Sequence, residues 1–257
     1  WAASSLKVDQ SITFNINSSE QFPMTTSSTI EHIAAHPVTA ESLLQIDPQV
    51  ETERIVNALR QQVGSLKRKG LVLGLSGGID SSVCAALCAR AVGPDRVFGL
   101  LMPEHDSASE SESLGRMLAD HLGVPCLLEN IGPTLEAAGC YTRRDEAVRS
   151  VIPDFQPGDT FKVVLPGLLE GAAYRVHYVV AELSALGGKQ VRERLPLGAY
   201  QTIVAATNFK QRVRKMMEYY HADRLRYAVV GTPNRLEYDQ GFFVKNGDGS
   251  ADVKPIA

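Results

Sequence analysis

Leu71-Val72-Leu73-Gly74-Leu75-Ser76-Gly77-Gly78-Ile79-Asp80-Ser81-Ser82 decides the fold. An apolar run leads into a Ser-Gly-Gly turn, and Val83, Leu87 and Val92 then follow at helical spacing, so a buried strand, a tight loop and a helix are expected in that order. A loop of this kind aims backbone N–H groups at one spot beside a helix N-terminus, where the helix dipole also favours an anion. Gly77 and Gly78 lack a Cβ, so a phosphate can approach the backbone closely. Ser76 and Ser81 add hydroxyl donors. Asp80 would repel the anion unless a cation lay between them, and Mg²⁺ is the natural candidate.

The stretch is neither Gly-x-x-x-x-Gly-Lys-Ser/Thr nor Gly-x-Gly-x-x-Gly. It resembles the Ser-Gly-Gly-x-Asp-Ser loop of the N-type ATP pyrophosphatases, which cleave ATP between the α- and β-phosphates and pass AMP to a substrate oxygen. The plainer alternative is a glycine-rich turn that binds nothing.

Outward from the loop, Asp47-Pro48 reads as a helix cap, and Ile55, Val56, Leu59, Val63 and Leu66 follow as one apolar face. Downstream, Arg96–Met102 reads as a strand, Ser107–Leu122 as a helix closed by Gly123, and Val124–Leu128 as a third strand. This alternation implies a doubly wound parallel α/β sheet with ligands at the strand C-termini. Gly132 to Leu197 breaks the rhythm. Phe161–Leu165 and Tyr174–Val180 read as strands, and Gly187-Gly188 as the turn of a hairpin toward Gln190–Leu195. We therefore expect an insertion over about 141–197 with a small β element. Tyr141, Arg143 and Arg144 read as exposed surface, with substrate contact as the alternative. Trp1 to about Pro37 is Ser/Thr-rich without periodicity and reads as a flexible arm, with a short helix from Thr39 to Leu44. Residues 38–257 form the main domain.

The 257 residues are 44% hydrophobic and 21% charged, with a net charge of −3, as in a soluble globular protein. That balance gives no case for nucleic acid, and no apolar run reaches the roughly 18 residues of a membrane span. The absence of a secretory pattern at the N-terminus leads us to expect a cytoplasmic protein. Cys84, Cys88, Cys126 and Cys140 have no metal or redox spacing and read as reduced thiols. The start at Trp1 and the end at Pro255-Ile256-Ala257 suggest a fragment.

A second constellation lies downstream. Tyr200–Tyr220 reads as a helix, with Asn208, Arg212 and Lys215 on one face and Lys210 and Arg214 on another. These cations face either a phosphate or carboxylate, or solvent. Leu225–Thr232 is a strand ending in Gly231-Thr232-Pro233-Asn234-Arg235-Leu236-Glu237, whose Glu237 would share an ion with Asp80. Gly241-Phe242-Phe243-Val244-Lys245-Asn246-Gly247-Asp248-Gly249-Ser250-Ala251-Asp252 then forms a glycine-rich loop with one Lys and two Asp.

Together with Asn208-Phe209-Lys210-Gln211-Arg212-Val213-Arg214, these segments closely resemble the NAD synthetase family, in that family's order. The resemblance implies an adenine nucleotide alpha-hydrolase-like fold and covers roughly Asp47 to Ala257, with the insertion as a departure. It implies that Gly74, Leu75, Ser76, Gly77, Gly78, Ile79, Asp80 and Ser81 bind ATP phosphates, with Thr232 also on ATP. Asp80 and Glu237 would hold Mg²⁺, and Asn208, Arg212, Lys245, Asp248 and Asp252 would hold deamido-NAD. Asp80 and Lys245 are the residues it marks as catalytic. Ser250 stands where the family usually has Gly. The implied reaction adenylates the nicotinate carboxylate of deamido-NAD, and ammonia then displaces AMP.

His221 has no nucleophile to serve and reads as structural. A glutaminase domain would need a Cys nucleophile and a full domain's length, which the residues ahead of the loop do not offer, so free ammonia, or ammonia from a separate protein, is the expected nitrogen donor. The resemblance also implies a homodimer, with the helix from Tyr200 to Tyr220 as candidate interface, and further site residues beyond Ala257. The nearest rival is a GMP-synthetase-like amination ligase, which should lack the Lys245–Asp252 segment. A non-catalytic nucleotide-binding module is the rival of a different class.

Overall fold

Asp47 accepts hydrogen bonds from Gln49 N (2.9 Å) and Val50 N (3.1 Å), and Pro48 sits in the first turn, so helix α1 (Pro48–Ser65) starts where its sequence caps it. The structure is a computed structural model that describes residues 45–165 and 176–257. The expected arm over 1–37, the helix from Thr39 to Leu44, and the first two residues of the strand expected over Tyr174–Val180, Tyr174 and Arg175, lie outside the described residues.

After α1 come β1 (Leu71–Gly74), α2 (Ile79–Val92), β2 (Val97–Leu101), α3 (Ser109–Leu122) and β3 (Cys126–Leu128). Two short helices follow, α4 (Gly132–Ala137) and α5 (Cys140–Arg149), then β4 (Thr160–Val164), β5 (Tyr178–Leu183) and β6 (Lys189–Arg194). The chain continues through α6 (Leu197–Leu225), β7 (Ala228–Val229) and α7 (Arg235–Gln240).

β1 pairs in parallel with β2 on one side and with β7 on the other, giving the order β3-β2-β1-β7. The winding therefore reverses at β1, and the crevice at its C-terminal end is where an open α/β sheet receives a ligand. Leu71, Val72 and Leu73 are each 0% exposed. Leu71 and Leu73 face a core built with α1, α2 and α3, while Val72 faces one built with α4, α5 and α6. Burial on both faces is why the strand is continuously apolar; each such side chain contributes about 1.5–3 kcal/mol.

β4, β5 and β6 form a separate antiparallel sheet. One side of it packs Val179, Ala181 and Leu183 against Val148, Phe155 and Ile203. Gly187 and Gly188 take φ of 66° and 81°, which lets them turn the expected hairpin.

Several boundaries differ from the sequence reading. α2 begins at Ile79 rather than Ser82, so Asp80 and Ser81 lie in its first turn. α4 and α5 occupy the front of the stretch read as irregular, because Gly139 at φ 69° separates them and hides one helical pattern. α6 is 29 residues long and ends at Arg226 in a left-handed conformation, which shortens the following strand to Ala228–Val229.

Candidate active site

The loop after β1 is closed by its own serines. Ser76 Oγ and Ser81 Oγ lie 3.0 Å apart, Gly78 N donates to Ser76 Oγ (3.2 Å), and Ser81 Oγ donates to Gly78 O (2.9 Å). Gly78 is the N-cap of α2 and brings no side chain, so the first-turn N–H groups are left to an incoming anion. Gly77 takes φ 77°, and a Cβ there would lie 3.0 Å from Ser111 O and from Leu114 Cβ of α3.

A cleft of about 530 Å³ opens above this loop, lined by the ends of β1 and β2, the segment Pro103–Ser109 and one face of α6. Gly74, Leu75, Ser76, Thr232 and Asp248 line it. A smaller space of about 130 Å³ adjoins it, lined by Ser76, Gly78, Asp80, Ser81, Thr232, Pro233, Glu237 and Asp248. Ser76, Thr232 and Asp248 thus border both. Thr232 comes there because it follows β7, the neighbour of β1, at the same sheet edge.

Glu237 is fixed by a capping box. Its N–H donates to Asn234 Oδ1 (3.1 Å) and its Oε2 accepts from Asn234 N (2.8 Å). Asp248 Oδ1 accepts from Val244 N (2.6 Å), and Gly247 N and Gly249 N both donate to Val244 O. Phe243 packs on Tyr238 at 4.9 Å and against Gly249, where a Cβ would come within 2.4 Å of its ring. This loop therefore holds its own shape. Asn246, at φ 60°, is its strained position, whereas Ser250 is not at positive φ and needs no glycine.

The remaining sequence-selected residues lie elsewhere. Arg212 Nε donates to Lys245 O (3.1 Å), which brings those two together, but neither lines the two spaces. Asn208 also lies outside them, and Ile79 is 77% exposed. Asp252 Oδ2 accepts from Val229 N (2.8 Å), so it ties the loop to β7, and Val253 bridges Val230 beside it.

The cleft holds residues the sequence did not mark. Glu104 accepts from Tyr141 Oη (2.9 Å) and pairs with Lys210 Nζ (3.2 Å). Asp106 pairs with Lys210 and with Arg144. Tyr141 and Arg144 are thus buried or nearly so, not the exposed surface expected, while Arg143 is exposed. Lys210 and Arg214 likewise meet carboxylates rather than solvent. The anchored segment Pro103–Ala108 forms one wall of the cleft. Burial raises the Tyr141 hydroxyl far above its ordinary value, and the bond to Glu104 adds to this. Burial opposes the Arg144 charge, but Asp145 and Asp106 outweigh it and raise its pKa. Lys215 and Glu218 form a buried pair on α6 that also lines the cleft. His221 is 3% exposed, with Nε2 3.2 Å from Glu129 and Nδ1 accepting from Arg224 (2.8 Å), a structural role as expected.

The sequence profile described as NAD synthase matches residues 51–151 and 183–257. The chain belongs to the NAD synthase family. It is 59% identical over 214 residues to the NH3-dependent NAD+ synthetase of Rhizobium meliloti, covering 83% of this chain and 64% of that protein. It is 54% identical to the NH3-dependent NAD+ synthetase of Rhizobium rhizogenes, covering 88% and 68%. The chain thus spans about two thirds of the length of the curated relatives it matches. Among solved structures, the NH3-dependent NAD synthetase of Campylobacter jejuni superposes with a TM-score of 0.56 at 23% identity, covering 83% of this chain and 68% of that one. The NMN synthetase of Francisella tularensis gives 0.57 at 23% identity, covering 83% and 66%. These likenesses show a shared fold, a parallel-sheet α/β architecture of the adenine nucleotide alpha-hydrolase-like type.

Proposed function

We propose that this chain carries the ATP-activating centre of an ammonia-dependent NAD synthetase, which amidates deamido-NAD to NAD through an acyl-adenylate and releases AMP and pyrophosphate. The observation that carries this reading is the shared border of Ser76, Thr232 and Asp248 between a nucleotide-sized cleft and a small acidic pocket. In it, the open first-turn N–H groups of α2 and the hydroxyl of Ser76 grip the phosphates leaving as pyrophosphate, while Ser81, whose proton goes to Gly78 O, holds the loop in shape. A carboxylate oxygen of deamido-NAD attacks the α-phosphorus as the bond to the bridging oxygen breaks. Ammonia then attacks the acyl carbon, the bond to AMP breaks, and a proton is released. Both substrates are polyanions, so alignment and charge neutralisation supply most of the rate.

Asp80 and Glu237 would hold magnesium in their shared pocket. Among the described residues no three carboxylate, imidazole or thiol groups converge as a metal cage. That fits an ion which takes one or two carboxylates and completes its shell with water and phosphate oxygens. Bound there, magnesium would neutralise phosphate charge. We assign deamido-NAD to the neighbourhood of Arg212, Lys245, Asn208, Asp248 and Asp252, with Lys245 as its cation.

We also read residues about 141–197, around β4–β6, as an insertion. The family profile skips 152–182, which supports a narrower core for it. A homodimer through α6 is supported by Met216 (67% exposed) and Tyr220 (61% exposed), one turn apart. Four free cysteines support a reducing compartment such as the cytoplasm.

The test is product formation with ATP, Mg²⁺ and ammonium, offered deamido-NAD, nicotinate mononucleotide or xanthosine monophosphate in turn. AMP and pyrophosphate should appear in equal amounts with deamido-NAD alone. Turnover on xanthosine monophosphate, or ADP and phosphate as products, would overturn the reading.

A further inference from the structure

Glu218 and Lys215 put a buried ion pair inside the nucleotide cleft. Lys215 Nζ lies 2.5 Å from Glu218 Oε2, and the residues are 5% and 7% exposed. They stand one turn apart on α6 and line the cleft with Gly74, Leu75 and Ser76. Glu218 Oε1 lies against the end of β1, since a Cβ on Gly74 would come within 3.1 Å of it. Oε1 takes no hydrogen bond from the described residues, yet no enclosed polar side-chain atom among them lacks a partner. Oε1 therefore opens into the cleft, a nearly buried acceptor aimed at the space a ligand would fill.

A carboxylate has the wrong sign to meet a phosphate. Its complement is a hydrogen-bond donor, and a nucleoside triphosphate offers few: the ribose 2′- and 3′-hydroxyls and the amino group of the base. The ribose joins directly to the phosphates, and Gly74 stands two positions before Ser76, where the anion loop begins. The ribose is accordingly the donor nearest Oε1. We propose that Glu218 is a specificity-determining residue whose Oε1 accepts a hydrogen bond from a ribose hydroxyl of the bound nucleotide, with Lys215 as the residue that positions its carboxylate. The assignment rests on the reading of the cleft as an ATP site. A site built to receive a hydroxyl penalises the analogue that lacks it, because its own polar group is then left unpaired.

Calorimetric titration tests this with ATP, 2′-deoxy-ATP, 3′-deoxy-ATP and the purine ribonucleoside triphosphate lacking the 6-amino group. The proteins are the unaltered chain, Glu218→Gln, and Lys215→Met/Glu218→Leu. The double replacement removes both charges together and strands neither. The unaltered chain should bind one deoxy analogue roughly tenfold more weakly than ATP. Glu218→Gln keeps an acceptor and should keep most of that preference, which a merely structural role would not require. The double variant should bind ATP and the deoxy analogue about equally. A preference that survives in the double variant, or is absent from the unaltered chain, overturns the proposal; the second outcome needs no variant to fold. A double variant that loses discrimination against the amino-lacking nucleotide instead assigns Glu218 to the base and overturns it too. No ATP binding by the unaltered chain would overturn the ATP site itself, a different failure from ATP binding that ignores Glu218.

Discussion

Asp80, in the first turn of α2, and Glu237, in the first turn of α7, line one pocket of about 130 Å³. Two loops far apart in sequence meet there because β7 lies beside β1, with the C-terminal ends of both at the same edge. Glu237 uses Oε2 in its own helix cap, so the backbone of Asn234 fixes its position.

Asn234→Ala is therefore expected to act on ion binding. Loss of the cap should cost about 1 kcal/mol of local stability. The Mg²⁺ concentration for half-maximal activity should rise several-fold, while the KM for ATP at saturating Mg²⁺ changes little. Steady-state rates across a Mg²⁺ series check this, and an unchanged Mg²⁺ requirement would separate the cap from the ion site.

Gly77→Ala forces a side chain into positive φ and against Ser111 O and Leu114 Cβ. A cost of about 1–3 kcal/mol is expected, with weaker ATP binding. Gly93 has φ 90° and ψ 144° but nothing within 4 Å of its would-be Cβ, so Gly93→Ala should carry a backbone cost of similar size, about 1–3 kcal/mol, and yet leave ATP affinity intact. Denaturant midpoints and ATP titrations of both variants make the comparison.

Burial raises the Glu218 carboxyl above its ordinary value of 4.5, with Lys215 only partly opposing it. The folded chain thus holds this proton more tightly than the unfolded chain does. Its stabilising contribution is full below the unfolded pKa and is lost as pH rises through the folded pKa. Measured by urea unfolding from pH 4 upward, the stability of the unaltered chain relative to Lys215→Met/Glu218→Leu should fall with rising pH. A difference that grows instead would reverse the sign. Lys215→Met alone strands the carboxylate and should destabilise by about 3–5 kcal/mol at neutral pH.

Burial pushes the Cys84 thiol up to about 12 and Cys88 higher still. Neither forms the reactive thiolate near neutral pH. Iodoacetamide should leave both unmodified in the native chain and label them after denaturation, as read by peptide mass spectrometry.

The strand, loop and helix around Ser76 were legible because each carries a local signal: an apolar run buried on two faces, a glycine pair, and a helical stripe. The Asp47 cap and the Gly187-Gly188 hairpin were legible for the same reason. Glu104, Asp106 and Glu218 were not. An acidic residue looks the same in sequence whether it faces water or a buried lysine, and these meet their partners only once α6 packs across β1 and β2. α5 was missed because Gly139 interrupts the pattern ahead of it. The end of α6 was misjudged because Arg226 takes the left-handed turn usually signalled by glycine.

The most direct test of the shared ion site follows Mn²⁺, as a paramagnetic substitute for Mg²⁺, binding with ATP to the unaltered chain, Asp80→Asn, Glu237→Gln and the double variant. Electron paramagnetic resonance should show ATP-dependent Mn²⁺ uptake that falls roughly tenfold or more in each single variant, with little further loss in the double. Uptake that is unchanged in either single variant, or that falls additively, would mean that Asp80 and Glu237 do not hold the same ion.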